Sequence, residues 1–322
     1  MTRYTTLADC LSRISKGKSA TIPGRLGMCL FLWLAAGAAQ DLEPRAYSVS
    51  PVGTNFVVLT YSHSAGGVVT DATLPLEDVS ASINGAVVGY FRSMNVLGRS
   101  ANFTLAAPYA WGTMEGRVME QLAQIRRSGA VDARLRFAIN VKGAPAMNLR
   151  EFLEYRRKTN LGVSVVVIPP TGQYDPVRLV NLGTNRWTTK PEVGFSRAFG
   201  GTSRWILDVY GGVWLFTTNQ KFVSGPRKQA PMLTTQFHLN YRVRPRLWAS
   251  FDATFYRGGR ATIGGQPQQD ELHNTRLGGT VVVPIGLSQS IKFSASRGAW
   301  VRSGSDFTSF AVAYQYLWNP KF

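Results

Sequence analysis

Phe310-Ala-Val312-Ala-Tyr314-Gln-Tyr316-Leu-Trp318-Asn-Pro-Lys-Phe322 closes the sequence, and its reading decides the fold. Every second residue from 310 to 318 is aromatic or Val, and those between are small or polar apart from Leu317. Period two is the strand signature, because successive side chains leave opposite faces of the backbone. Two readings are open on this stretch alone: a strand with its aromatic face on lipid, or the last strand of a soluble β protein. Alternation does not say which face meets lipid.

Working outward, alternating segments of 10–15 residues recur along the chain. Twelve can be counted: 54–63, 80–93, 100–112, 131–142, 160–169, 186–199, 203–217, 232–242, 246–257, 274–284, 289–301 and 306–318. About 9–11 tilted residues cross a bilayer, so each is long enough. The clearest is 131–142, where Val131, Ala133, Leu135, Phe137, Ile139 and Val141 oppose Asp132, Arg134, Arg136, Ala138, Asn140 and Lys142. At 232–242 Leu233, Phe237, Leu239 and Tyr241 oppose Gln236, His238, Asn240 and Arg242.

Three features favour the membrane. Connections alternate between short ones, such as 200–202 and 243–245, and long ones of about 13–18 residues, as outer-membrane barrels have short periplasmic turns and long outer loops. Tyr109, Trp111, Trp187, Trp205, Trp248, Tyr256, Trp300 and Trp318 gather near strand ends like interfacial girdles. A soluble twelve-stranded barrel would enclose a lumen too wide for side chains to fill. The expected fold is all-β: a transmembrane antiparallel barrel of about twelve strands, with both termini periplasmic.

The front of the chain reads as an address. Arg13, Lys16, Lys18 and Arg25 precede the apolar run 26–36, and Gly37-Ala38-Ala39 follows. Basic region, short apolar core and small-residue exit make 1–39 a signal peptide, with the barrel at 40–322. Leu26-Gly27-Met28 before Cys29 lacks the small residue that lipidation of that cysteine would require. Both cysteines, Cys10 and Cys29, fall in the leader, so the exported part has neither disulfides nor thiolate metal sites. The chain carries 36 basic and 18 acidic residues; removing the leader leaves a net charge of +14. Export argues against nucleic acid as the partner of this charge. Outer-membrane lipid, anionic lipopolysaccharide and anionic solutes in a pore fit better. The terminal strand is where barrel-assembly machinery would engage.

Two segments break the strand rhythm. In 143–159, Asn148 and Glu151 read as a capping pair, and Leu149, Phe152 and Leu153 fall on one helical face. A short amphipathic periplasmic helix is expected, either covering the barrel rim or acting as a plug or surface anchor. The segment 169–192 is rich in Gly, Pro and Asn, hence loop, yet keeps Leu179, Val180, Leu182 and Trp187. Apolar residues in a loop need cover, which leaves a constriction folded into the lumen or a lid above it. Tyr174 is a candidate to stack on an aromatic solute. Asp175, Arg178, Asn185 and Arg186 are candidates to tie the loop to wall charges such as Lys190, Glu192 and Asp208.

This stretch, with Gly143-Ala-Pro-Ala146 and Ser50-Pro-Val-Gly-Thr-Asn55, resembles the "meta-pathway of phenol degradation" family of outer-membrane transporters, over about residues 45–318. The resemblance implies a transporter, in a setting of aromatic degradation. It brings no binding residues with it.

Chemistry for catalysis is sparse. His63, His238 and His273 match no H-E-x-x-H zinc spacing, and no metal or cofactor is expected. A barrel phospholipase needs its His on the lipid-facing wall, whereas His238 shares the polar face. Asp71, Asp270, Glu271 and His273 read as solvated loop residues. The inward faces carry Arg134, Arg136, Lys142, Lys190, Glu192, Asp208, Arg242, Asp252, Arg276 and Lys292, seven basic against three acidic. Such a wall either pairs internally to hold the barrel's shape or makes an anion-favouring path. The leading function is an outer-membrane channel or transporter for small molecules, aromatic or otherwise hydrophobic. The alternatives are a structural or adhesive barrel without transport, and a membrane-embedded hydrolase.

Overall fold

The computed structural model describes residues 43–69, 76–118, 121–156, 159–178, 180–200 and 203–318. The expected signal peptide, Leu179, Asp71 and the terminal Phe322 lie outside these residues.

The wall strands in chain order are β1 (Asn55–Val69), β2 (Leu76–Val96), β3 (Arg99–Val118), β4 (Gln121–Ala130), β5 (Arg134–Lys142), β6 (Thr159–Ile168), β7 (Thr188–Phe199) and β8 (Trp205–Phe216). After the short β9 (Arg227–Gln229) come β10 (Met232–Arg244) and β11 (Leu247–Gly258). Two further short strands, β12 (Ala261–Ile263) and β13 (Gln266–Pro267), precede β14 (Leu272–Pro284), β15 (Gln289–Trp300) and β16 (Gly304–Trp318). All wall pairings are antiparallel, and β1 with β16 closes the ring along a register running from Asn55 opposite Trp318 to Val69 opposite Gly304. β4 and β5 share one place in the wall, pairing with successive halves of β3, so the barrel has twelve strands. Closure leaves no strand edge in lipid, where an unpaired backbone group is costly.

The alternation at the chain end is a lipid pattern. Phe310, Val312, Tyr314, Tyr316 and Trp318 are all exposed on the outer face, while Ser309 and Ala313 are buried inward. Phe137 is exposed on β5, and Arg136 and Asn140 beside it are buried. Both ends of the wall, Asn55 and Trp318, lie at the end with the tight turns, here the turn end. One of these turns, Leu97-Gly98, has both residues at positive φ, as a two-residue hairpin demands.

Some expectations need correction. The connections after the first and third strands are not long loops: β1 and β2 are joined by 70–75, and β3 and β4 by 119–120. These hairpins continue past the apolar band, where Arg126, Gln124 and Ser128 share the outer register with Thr113, Glu115 and Trp111. Without lipid outside, the polarity contrast fades and the strands no longer read as membrane segments. Trp248 and Tyr256 belong to the inner register of β11 with Asp252, not to an outer girdle. The capping box of α1 (Leu149–Glu154) forms as expected, Asn148 N–H to Glu151 Oε2 and Glu151 N–H to Asn148 Oδ1 both at 2.9 Å. Its faces differ from expectation: Phe152 packs on Val49, Ala144 and Met147, whereas Leu149 and Leu153 are exposed.

Candidate functional site

The lumen is built from the turn end upward by residues 43–53, which enter the barrel instead of leaving it. Val52 N–H donates to Met147 C=O at 2.8 Å and Gly53 N–H to Ser93 C=O at 3.1 Å, fixing the entry point. Val49 packs against Ala144 and Met147, with Phe152 and Tyr155 beside them, so α1 covers the entering segment at the rim. Deeper, Tyr47 is buried against Ala138 and Tyr210, its ring 5.0 Å from that of Tyr210. It fits because Gly162 and Gly194 face each other across β6 and β7; a Cβ on either would collide with the ring.

This segment engages four of the wall charges, Arg134, Arg136, Glu192 and Asp208. Tyr47 Oη meets Ser164 Oγ at 2.9 Å and donates to Glu192 Oε1 at 3.1 Å. Burial first, then the Glu192 carboxylate, push the Tyr47 phenol well above its usual range. Glu192 also pairs with Lys190 at 2.8 Å and with Arg136 at 3.8 Å. Arg136 donates to Ala46 C=O at 3.3 Å and lies 4.8 Å from the Tyr47 ring centre. Asp208 accepts from Arg45 N–H at 3.1 Å and from Asn240 at 2.9 Å. The Arg45 guanidinium covers Trp248. Charges taken out of water must be paired and hydrogen-bonded, and the segment supplies the partners that the wall lacks.

At the top of the described segment, Glu43 pairs with Arg134 at 3.0 Å. Burial works to raise its pKa, but Arg134, Arg136, Lys190 and Lys292 outweigh burial and hold the carboxyl down at about 2.

Of the eleven expected wall residues, Arg136, Lys190, Glu192, Asp208, His238, Asp252 and Arg276 are buried on the inner face. Arg134 and Lys292 line the central cavity. Two are placed otherwise. A register shift between Asn140 and Lys142 sets Lys142 opposite Leu161, on the outer register, and it is exposed. Arg242 lies exposed at the turn-end rim. His238 meets Asp252 at 2.7 Å through Nδ1 and Gln236 Oε1 at 3.3 Å through Nε2. Thr280 and Ser250 hydroxyls donate to the same aspartate at 2.9 and 3.1 Å. This group is sealed into the inner wall, away from the lipid face a phospholipase would use. Arg276 ties β14 to Ser296 and Ser309.

At the loop end, 169–187 folds inward. Val180 and Leu182 are buried in a cluster with Val79, Ile83, Ala110, Met114, Val131 and Phe307. The expected ties to Lys190, Glu192 and Asp208 are not the ones made. Asp175 pairs with Arg178 at 2.8 Å within the loop, Asn185 donates to Asn219 at 2.8 Å, and Arg186 donates to Gln229 at 2.5 Å. Tyr174 Oη donates to Lys221 C=O at 3.1 Å. The anchor is Asp132, at the break between β4 and β5. It accepts from Gly172 N–H at 2.7 Å, Thr184 N–H at 2.8 Å and Thr184 Oγ1 at 2.6 Å. Gly172 and Gly183 cross too closely for either to carry a Cβ.

Between segment and loop lies a cavity of about 580 Å³. Phe91, Trp214, Phe216 and Tyr256 contribute apolar and aromatic surface; Arg134, Arg227, Arg276 and Lys292 contribute positive charge, and Glu43, Asp132 and Asp270 negative charge. Sequence reasoning missed Glu43, Tyr47, Trp214 and Asp132; the paired inward glycines of β6 and β7 were the one signal of an inserted ring. Among the described residues, no group of three or more His, Cys, Asp or Glu is placed to hold a metal.

Among solved structures, the COG4313 outer membrane channel from Pseudomonas putida F1 superposes with a TM-score of 0.71 at 20% identity, covering 86% of this chain and 100% of that one, which shows a shared fold. A NanC porin gives a TM-score of 0.46 at 7% identity over 81% of this chain and 98% of that chain. No curated protein matches the chain. The model of a family described as "Putative MetA-pathway of phenol degradation" matches residues 56–316. That match spans nearly the whole barrel wall, and the chain belongs to this family.

Proposed function

We propose that the protein is an outer-membrane channel for small molecules with aromatic or otherwise hydrophobic bodies. The observation that carries this reading is the cavity of about 580 Å³ inside a closed transmembrane barrel, lined by aromatic rings and a few convergent cations. A concave chamber of this size, with aromatic surface and fixed polar groups together, is the usual form of a small-molecule site. By analogy with other outer-membrane barrels, the turn end is periplasmic and the Asp132-anchored loop is outside. The inserted segment and the inward loop make this a gated path with a low resting conductance. The setting is the outer membrane of a Gram-negative bacterium, with lipid and lipopolysaccharide around the wall and assembly through the aromatic last strand. No residue is assigned to catalysis.

The test is reconstitution. Planar bilayers and liposome uptake are measured with the full chain and with a variant lacking residues 43–50. The expected result is low conductance in the first and a clear rise in the second, with benzyl alcohol admitted. A correctly folded deletion that passes neither ions nor solute would refute the channel and favour a structural barrel.

A further inference from the structure

Glu43 differs from the three inward anions of the wall strands. Glu192, Asp208 and Asp252 belong to the wall and are buried at 5%, 0% and 0% exposure. Glu43 belongs to the inserted segment, keeps 40% of its side chain exposed, and lines the cavity while it grips Arg134. Lys292 lines the same cavity and makes no ion pair within 4 Å among the described residues. The Trp214 ring lies 5.9 Å from the Arg134 guanidinium, and Phe216 continues the apolar wall. A planar carboxylate suits arginine, whose donors meet it in a fork. A flat apolar body suits the rings beside it.

We infer that Glu43 is a tethered stand-in for the carboxylate of the solute: an aromatic monocarboxylate competes with it for Arg134, and its binding frees the top of the inserted segment. The inference rests on the channel reading and adds the charge class of the solute and the contact that yields to it. A ligand shifts a conformational equilibrium only through differential affinity. Here the difference is built in, since in the segment-bound state Glu43 already occupies the edge of Arg134 that faces the cavity. A tether of a few residues presents Glu43 at an effective concentration on the order of mM. Removing it should therefore tighten binding of a free carboxylate by about tenfold.

The experiment uses the full chain in detergent micelles, with benzoate as probe and benzyl alcohol as its neutral counterpart, read by calorimetry. The expected result is that Glu43→Gln binds benzoate about tenfold more tightly than wild type, that benzyl alcohol is unchanged, and that adding Arg134→Gln erases the gain. Unchanged benzoate affinity in Glu43→Gln, or an equal gain for benzyl alcohol, overturns the inference. Should Glu43→Gln fail to fold, Lys292→Gln takes its place: benzoate binding is expected to weaken, and unchanged binding overturns the inference. Bilayer conductance on the same preparations keeps the two readings apart. A barrel that conducts without preferring benzoate sinks only the present inference; benzoate binding in a barrel that passes nothing sinks only the channel.

Discussion

Tyr47 of the inserted segment packs its ring against Gly194 of the barrel wall, where any larger residue would displace it. The ring is buried, and its hydroxyl bonds to Ser164 and Glu192, so the contact holds residues 43–53 in the lumen by packing and by hydrogen bonds together. Gly194→Leu should expel the segment without disturbing the ladder, since Gly194 does not carry a positive φ. The expected outcome is a barrel that still migrates as a folded species on unheated gels and conducts more in planar bilayers. A folded variant with wild-type conductance would show that the segment is not the resistance.

Phe137 faces outward on β5, opposite Val165 on one side and Phe103 on the other. Placing Arg there puts a charge against lipid near mid-membrane, at a cost of about 2–4 kcal/mol. Equilibrium unfolding in lipid vesicles should show that loss for Phe137→Arg. Lys142, past the bulge and exposed, should tolerate replacement by Gln with little change. If the two variants were equally stable, the face assignment would be wrong.

Legibility in the sequence followed what lipid enforces. From Phe310 to Trp318 the bilayer demands an apolar residue at every outward position, so strand, register and fold could be read directly. The Asn148–Glu151 cap was legible because its chemistry is local. Lys142 was misplaced because a bulge adds a residue without any compositional mark and reverses the parity beyond it. The upper parts of β1 to β4 were lost where the outer face carries polar residues such as Glu115, Gln124 and Arg126 instead of an apolar lipid pattern. Tyr47 and Glu43 were invisible because an irregular segment has no period; what specifies it is distributed over Gly162, Gly194, Glu192 and Arg134 on three other strands.

Asp132 holds the inward loop by three hydrogen bonds to Gly172 and Thr184. Bonds to a charged acceptor contribute about 1.5–3 kcal/mol each, and the donors left behind would be unsatisfied. Asp132→Ala should therefore release 169–187, raising trypsin cleavage after Arg178 by more than about tenfold, with Asp132→Asn in between. Identical digestion rates in all three proteins would remove Asp132 as the anchor.

The Glu43 carboxyl should make the resting state sensitive to strong acid only. Its pKa in the folded protein is held at about 2, below its ordinary value of 4.5, by Arg134, Arg136, Lys190 and Lys292 acting against burial. A depressed carboxyl contributes stability that is fully present above the unfolded value and is lost as pH falls toward the folded one. The segment should thus stay docked from neutral pH down to about 4.5, then loosen progressively toward about 2. Wild-type conductance is expected to be flat over the upper range and to rise below it. Glu43→Gln lacks this titration, so its conductance should already be raised at neutral pH and change less on acidification. A wild-type rise centred near neutral pH, or one that persists undiminished in Glu43→Gln, would assign the response to some other group.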